Sequence, residues 1–283
     1  MNISDSHNDF LTTIDTADDR ECYIKDISSI GVTNISCAVF TTERCLTVKD
    51  VIRYSQELGK LKRKYNINLI LSIEDLGFVT NKYKLQKIVN LKPFSVTLTW
   101  NEANQFGGGA HTKLGLTPLG KTYVKILEQN NILIDTAHMS NRLFWDFCKI
   151  TTFPIYNSHS NIYSLKHHKR NLTDKQIEHI VQSNGYLGLT LYDEFISQGN
   201  ITSHNVAKQF DYLIQKFGNK NFGLGTDFYG ISTNRLPNDI KGYAQINNLI
   251  NKLKLFGYDN EIIDCIIFKN FEDFLIRMNN INR

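Results

Sequence analysis

Asp5-Ser6-His7-Asn8-Asp9 follows a short opening run, Asn2-Ile3-Ser4. Whether that run is a strand decides the fold, because it completes or breaks a count of eight. In a strand, side chains at i and i+2 share a face. His7 and Asp9 then offer an imidazole nitrogen and a carboxylate oxygen to one point. That pair suits a divalent transition metal such as zinc. Asp5 falls on the same face and is placed to orient His7 as an outer partner. A His-x-Asp pair alone is more often an ordinary polar turn, so the rest of the chain carries the weight.

Apolar, β-branched runs recur between helical patterns. Strands are expected at 33–40, 67–73, 95–100, 132–134, 154–157, 186–191 and 222–226. Helices are expected at 48–64, with Thr47 as cap and Asp50 in the first turn, and at 118–130, with Thr117 as cap and Pro118 at its first position. Further helices fall at 141–149, 174–183 and 206–217, and the tail from 239 is mostly helical, broken at Gly257. With the opening run, eight strands alternate with helices, which suggests an α/β chain folded as a (β/α)8 TIM-type barrel. A doubly wound open sheet would give the same alternation. No linker-like stretch or repeat interrupts 1–283, so a single barrel domain is expected.

The composition narrows the partners. Hydrophobic residues make up 41% of the 283 and the formal net charge is +4, compatible with a sizeable core. The densest basic cluster, Lys60-Leu61-Lys62-Arg63-Lys64, ends a helix and reads as a solvated face; nucleic-acid binding is not expected. No apolar run reaches membrane-spanning length, and no signal peptide is seen. Cys22, Cys37, Cys45, Cys148 and Cys265 are scattered without CxxC spacing. Reduced thiols and a cytoplasmic location are the expectation.

In barrel enzymes the chemistry lies at the C-terminal ends of the strands. Here those ends carry His7 and Asp9, then Glu74, then Trp100, Asn101 and Asn104, then Asp135 and His138, then Ser158-His159-Ser160, then Asp227. Each has an ordinary reading as a core histidine, a cap or turn chemistry. Five separate strand ends with ligand-type residues are better explained by one shared site. His7, Asp9, Glu74, His138 and His159 exceed what one zinc needs. With a carboxylate able to bridge, they suit two metals about 3.5 Å apart with a hydroxide between them. His167, His168, His179 and His204 read as surface residues. His111, after Gly107-Gly108-Gly109, reads as a loop residue or a substrate contact.

The motifs Asp5-Ser6-His7-Asn8-Asp9, Ser72-Ile73-Glu74, Leu98-Thr99-Trp100-Asn101, Gly115-Leu116-Thr117, Asp135-Thr136-Ala137-His138, Ser158-His159-Ser160, Arg170-Asn171-Leu172-Thr173-Asp174 and Gly225-Thr226-Asp227-Phe228 together resemble the membrane (renal) dipeptidase family of zinc peptidases. They occur in the family's order over most of the chain. The resemblance implies a (β/α)8 barrel with two zinc ions and a dipeptide substrate. His7 and Asp9 would bind one zinc, His138 and His159 the other, and Glu74 would bridge. Arg170 would hold the substrate carboxylate and Asp227 would act as acid and base. Tyr192, Trp100 and Asn101 would line the substrate site. Many members have a histidine, which helps polarise the scissile carbonyl, where this chain has Trp100. The chain is also shorter than many relatives, and their secretion and anchor segments are not expected here. Alternatives are a metal amidohydrolase acting on another amide or a biosynthetic peptide intermediate, and a binding protein without turnover. A homodimer is a candidate assembly.

Overall fold

The computed structural model describes residues 2–40 and 47–281, so Cys45 lies outside the described residues. Eight strands run in chain order around a closed barrel: β1 (Ile3–Asn8), β2 (Val32–Phe40), β3 (Asn68–Glu74), β4 (Ser95–Thr97), β5 (Leu133–Asp135), β6 (Tyr156–Ser160), β7 (Tyr186–Leu189) and β8 (Phe222–Leu224). β1 closes the ring on β8 in parallel, with Asp5 opposite Leu224. The opening run is therefore a strand, and the fold is a (β/α)8 barrel rather than an open sheet.

Local chemistry explains most of the elements. β3 is the apolar run Leu69-Ile70-Leu71 extended to Glu74, and it pairs with β2 from Asn34–Asn68 to Phe40–Glu74. That register sets Phe40 beside Glu74 at the upper rim. Helix Val48–Lys64 starts in a reciprocal cap, with the Thr47 N–H donating to Asp50 at 2.9 Å. Its basic end is solvated: Lys60, Lys62, Arg63 and Lys64 are exposed and only Leu61 is buried. Thr117 accepts from the Gly120 N–H at 2.9 Å and starts helix Pro118–Gln129.

Several boundaries differ from the sequence expectation. β4 stops at Thr97, so Trp100 stands in the following loop. β6 is shifted from 154–157 to Tyr156–Ser160. Pro154 cannot donate to a ladder, and the buried polar Ser158, His159 and Ser160 hide a strand from a hydrophobicity pattern. Helices Ala17–Ser29 and Lys82–Asn90 are additional. The first buries only Arg20, Ile24 and Ile27, too few for a clear period. No helix among the described residues is long and apolar enough to cross a membrane.

The tail is helical and turns at Gly257 with φ 91°, a conformation glycine takes without strain. Its last helix, Asn270–Ile281, closes the N-terminal mouth of the barrel. Phe271 and Phe274 pack on Tyr156 and Tyr186, the first residues of β6 and β7, together with Ile70 and Leu133. The Tyr156 and Phe274 rings are stacked with centroids 5.4 Å apart.

Candidate metal centre and substrate cavity

At the opposite mouth, five strand ends converge. Glu74 sits between two groups of side chains. Its Oε1 is 2.6 Å from His138 Nε2 and 3.8 Å from His159 Nε2. Its Oε2 is 3.6 Å from His7 Nε2. His7 Nε2 is 3.1 Å from Asp9 Oδ2 and 3.9 Å from Asp227 Oδ1. The five residues proposed from the sequence as ligands are thus brought together, with Asp227 at their edge. All but Asp227 are buried.

The backbone reaches this arrangement through turns. Asp135 Oδ1 accepts the N–H groups of Ala137 and Ser158 at 2.9 and 3.0 Å. The chain then turns through His138 at φ 66°, and Asp227 sits at φ 61°. Non-glycine residues seldom adopt these values, and such strain concentrates at functional sites.

Outer hydrogen bonds fix the rings. His138 Nδ1 donates to Asn101 Oδ1 at 2.9 Å, leaving Nε2 with its lone pair. Asn101 was expected to face substrate; it lines the cavity and also orients His138. Ser158 Oγ lies 2.7 Å from His159 Nδ1 and 3.4 Å from His7 Nδ1, so one hydroxyl serves histidines on both sides of Glu74. A β-carbon on Gly188 or Gly225 would collide with the Ser158 carbonyl, which explains glycine at both positions.

Asp5 does not orient the His7 ring as the strand geometry suggested. It lies one layer lower and accepts the backbone N–H of His7 at 3.2 Å and of Thr226 at 2.8 Å. Its other oxygen accepts from the hydroxyls of Thr226 and Tyr243, both at 2.5 Å. It therefore ties the segment bearing His7 to the segment bearing Asp227.

The charges act on one another across short distances. Burial works against a charged His7, but Asp9 and Glu74 outweigh it and hold its pKa well above the usual range. Burial, together with the Asp9 and Glu74 carboxylates, pushes Asp227 well up. For Glu74, burial is outweighed by His138 and His7, and its pKa falls well below normal. Burial and the Arg170 cation push His138 down to about 3.

The cluster forms the floor of a cavity of about 340 Å³. Arg170 is 5% exposed and lines it, donating to the Ser160 hydroxyl at 3.3 Å and the His159 carbonyl at 3.2 Å. Among the described residues no carboxylate lies within ion-pair distance of Arg170. Burial alone brings its pKa down to about 10. Tyr192 and Trp100 also line the cavity. His111 does not: it is exposed and pairs with Glu102 at 3.0 Å. His167 and His204 are exposed as expected, but His168 and His179 are half-buried. His168 Nδ1 accepts the Arg170 N–H at 3.1 Å and its ring packs on Phe195.

Four lining or supporting residues had no sequence signal of their own: Phe40, Phe195, Arg235 and Ser158. Arg235 pairs with Asp193 at 2.9 Å and with Glu194, over the Tyr192 ring. Only Ser158 stood in a motif, where the adjacent histidine drew the reading.

The donor set fits divalent cations. His7 Nε2 and both Asp9 oxygens are buried with no well-formed hydrogen bond. His138 Nε2 and His159 Nε2 face each other at 2.9 Å. Without a cation they must share one proton; a cation near both would take both lone pairs. His7, Glu74 and His159 have ligand atoms within 4.8 Å of one another, as do His7, Asp9 and Asp227.

Fold and site together define a metal-dependent hydrolase barrel. The chain belongs to the membrane dipeptidase family, peptidase family M19, whose model matches residues 35–279; His7 and Asp9 precede the matched region. It is therefore a metallopeptidase of the dipeptide-hydrolysing class, and metal ions are implied. It is 34% identical over 241 residues to an uncharacterized protein of the pqqA 5′ region in Klebsiella pneumoniae, covering 80% of this chain and 85% of that protein. The fold is similar to the dipeptidase AC structure, a metallo peptidase of family M19, with TM-score 0.87, 20% identity and 98% of both chains covered. It is also similar to a Rhodobacter sphaeroides metallo peptidase liganded with a phosphinate mimic of the dipeptide L-Ala-D-Ala, with TM-score 0.83, 18% identity and 98% and 99% covered.

Proposed function

We propose that the chain is a zinc dipeptidase that holds two ions. His7 and Asp9 would hold one, His138 and His159 the other, and Glu74 would be shared. The observation that carries this reading is the division of Glu74: one oxygen faces His138 and His159, the other faces His7. When bound, two such ions supply a water that ionises near neutral pH and a Lewis acid for the carbonyl.

The chain's own residues do the rest. Arg170, buried and lining the cavity without a carboxylate partner among the described residues, binds the C-terminal carboxylate of the dipeptide. That contact orients a short peptide and disfavours long ones. Asp227 takes a proton at its carboxylate and returns it to the leaving nitrogen. Its place in the cavity lining, with its carboxylate 3.9 Å from His7, suits both transfers. Asn101 and Ser158 keep the ring nitrogens of His138, His159 and His7 in one orientation.

Metal analysis of the purified protein beside Glu74→Ala tests the centre, followed by a dipeptide hydrolysis panel. About two zinc ions per chain, fewer in the variant, is the expected result. A wild-type protein that takes up no metal after incubation with zinc overturns the reading.

A further inference from the structure

The cavity has an aromatic wall that takes no part in the chemistry above. The Phe40 and Trp100 rings pack with centroids 5.4 Å apart, and Trp100 lies 5.8 Å from the His138 ring. Both are half-buried and both line the cavity. Phe40 ends β2 and Trp100 follows β4, so the pair flanks Glu74 at the end of β3. Arg170 hangs from the segment after β6, with its guanidinium 5.6 Å from the Phe195 ring. In a closed eight-strand barrel, β2 and β6 are opposite.

A substrate anchored on Arg170 must therefore cross the mouth. A dipeptide spans about 7 Å when extended. Its carboxylate lies on the β6 side, its peptide bond over Glu74 and the histidines, and its first residue against Phe40 and Trp100. We infer that Trp100, with Phe40, determines specificity by selecting dipeptides whose N-terminal residue bears a large apolar or aromatic side chain. This rests on the dipeptidase reading above. Such a side chain buries apolar area against two rings that also favour edge or offset contacts. An acidic side chain loses water there and finds no cation beside the two rings among the described residues. Among the described residues the cavity's other cation, Arg235, is on the β7–β8 side and is already held by Asp193 and Glu194.

The test is a series X-Ala, with X as Gly, Leu, Phe or Asp, on the metal-loaded protein. The expected kcat/KM for Phe-Ala exceeds that for Gly-Ala by about 10-fold to 100-fold, with Leu-Ala between them and Asp-Ala lowest. The Phe-Ala to Gly-Ala ratio falls by about 10-fold in Trp100→Ala and is largely kept in Trp100→Phe. Phe40→Ala, on a separate strand, lowers the same ratio and guards against a local folding defect. Calorimetry on metal-loaded Asp227→Asn reads the preference without turnover. Hydrolysis with a ratio near one, or a ratio unchanged in both alanine variants, overturns the aromatic pocket and leaves the dipeptidase. No hydrolysis of any peptide, with Phe-Ala still bound more tightly than Gly-Ala, overturns the dipeptidase and leaves the pocket.

Discussion

The two mouths of the barrel are built from the same eight strands and have opposite chemistry. At the N-terminal mouth, Tyr156, Tyr186, Phe271 and Phe274 stack into a dry plug. At the C-terminal mouth, His7, Asp9, Glu74, His138 and His159 crowd together with lone pairs and charges facing one another. The first arrangement lowers the energy of the apo chain. The second mixes opposing contributions: His7 and Glu74 favour each other's charged forms, whereas burial holds Asp9 and Asp227 above their ordinary pKa. Stability and chemistry are thus separated along the barrel axis.

Substitutions should respect that separation. Glu74→Ala is expected to have the largest effect on activity, a loss of roughly 10³-fold or more on the scale of removing a preorganised charge stabiliser. Phe274→Ala should do the reverse: a loss of about 3–5 kcal/mol in urea unfolding, with KM unchanged in the folded fraction. A Phe274→Ala protein with normal stability and a raised KM would erase the contrast.

Smaller changes sharpen the upper mouth. Arg170→Lys should raise KM for dipeptides by roughly 10-fold through loss of a two-pronged contact, with less effect on kcat. Ser158→Ala should weaken zinc binding by roughly 10-fold to 100-fold, read by competition with a chelating dye, because histidines on both sides of Glu74 lose their outer partner. The subtlest change concerns pH. Asp227 has a folded pKa raised above its ordinary 3.8. Its contribution to the metal-free protein is present below that value and is lost as pH rises through the folded pKa. Urea denaturation of the metal-free protein between about pH 4 and pH 8 should show a shallower decline for Asp227→Asn than for wild type.

The upper mouth was also the more legible half of the sequence. Ligand-type residues at successive strand ends stand out because carboxylates and imidazoles seldom recur there by chance. β3 could be read from its apolar run, but β6 was displaced because Ser158, His159 and Ser160 are polar and buried at once. Helix Ala17–Ser29 left too faint a stripe to see. Phe40, Phe195 and Arg235 meet the site only through the closure of the barrel, which no local period encodes. Asp5 shows the limit of strand alternation: it shares a face with His7, yet its carboxylate serves backbone N–H groups one layer below the ring.

That same carboxylate also sets a schedule for synthesis. Asp5 meets Thr226 across 221 residues and Tyr243 across 238. At about 5–20 residues per second, the ribosome needs roughly 10 to 45 seconds after making His7 before Asp227 can join it. The tie between the His7 segment and the Asp227 segment therefore forms only after Thr226 and Tyr243 have been made, and closure of the barrel is a late event in synthesis.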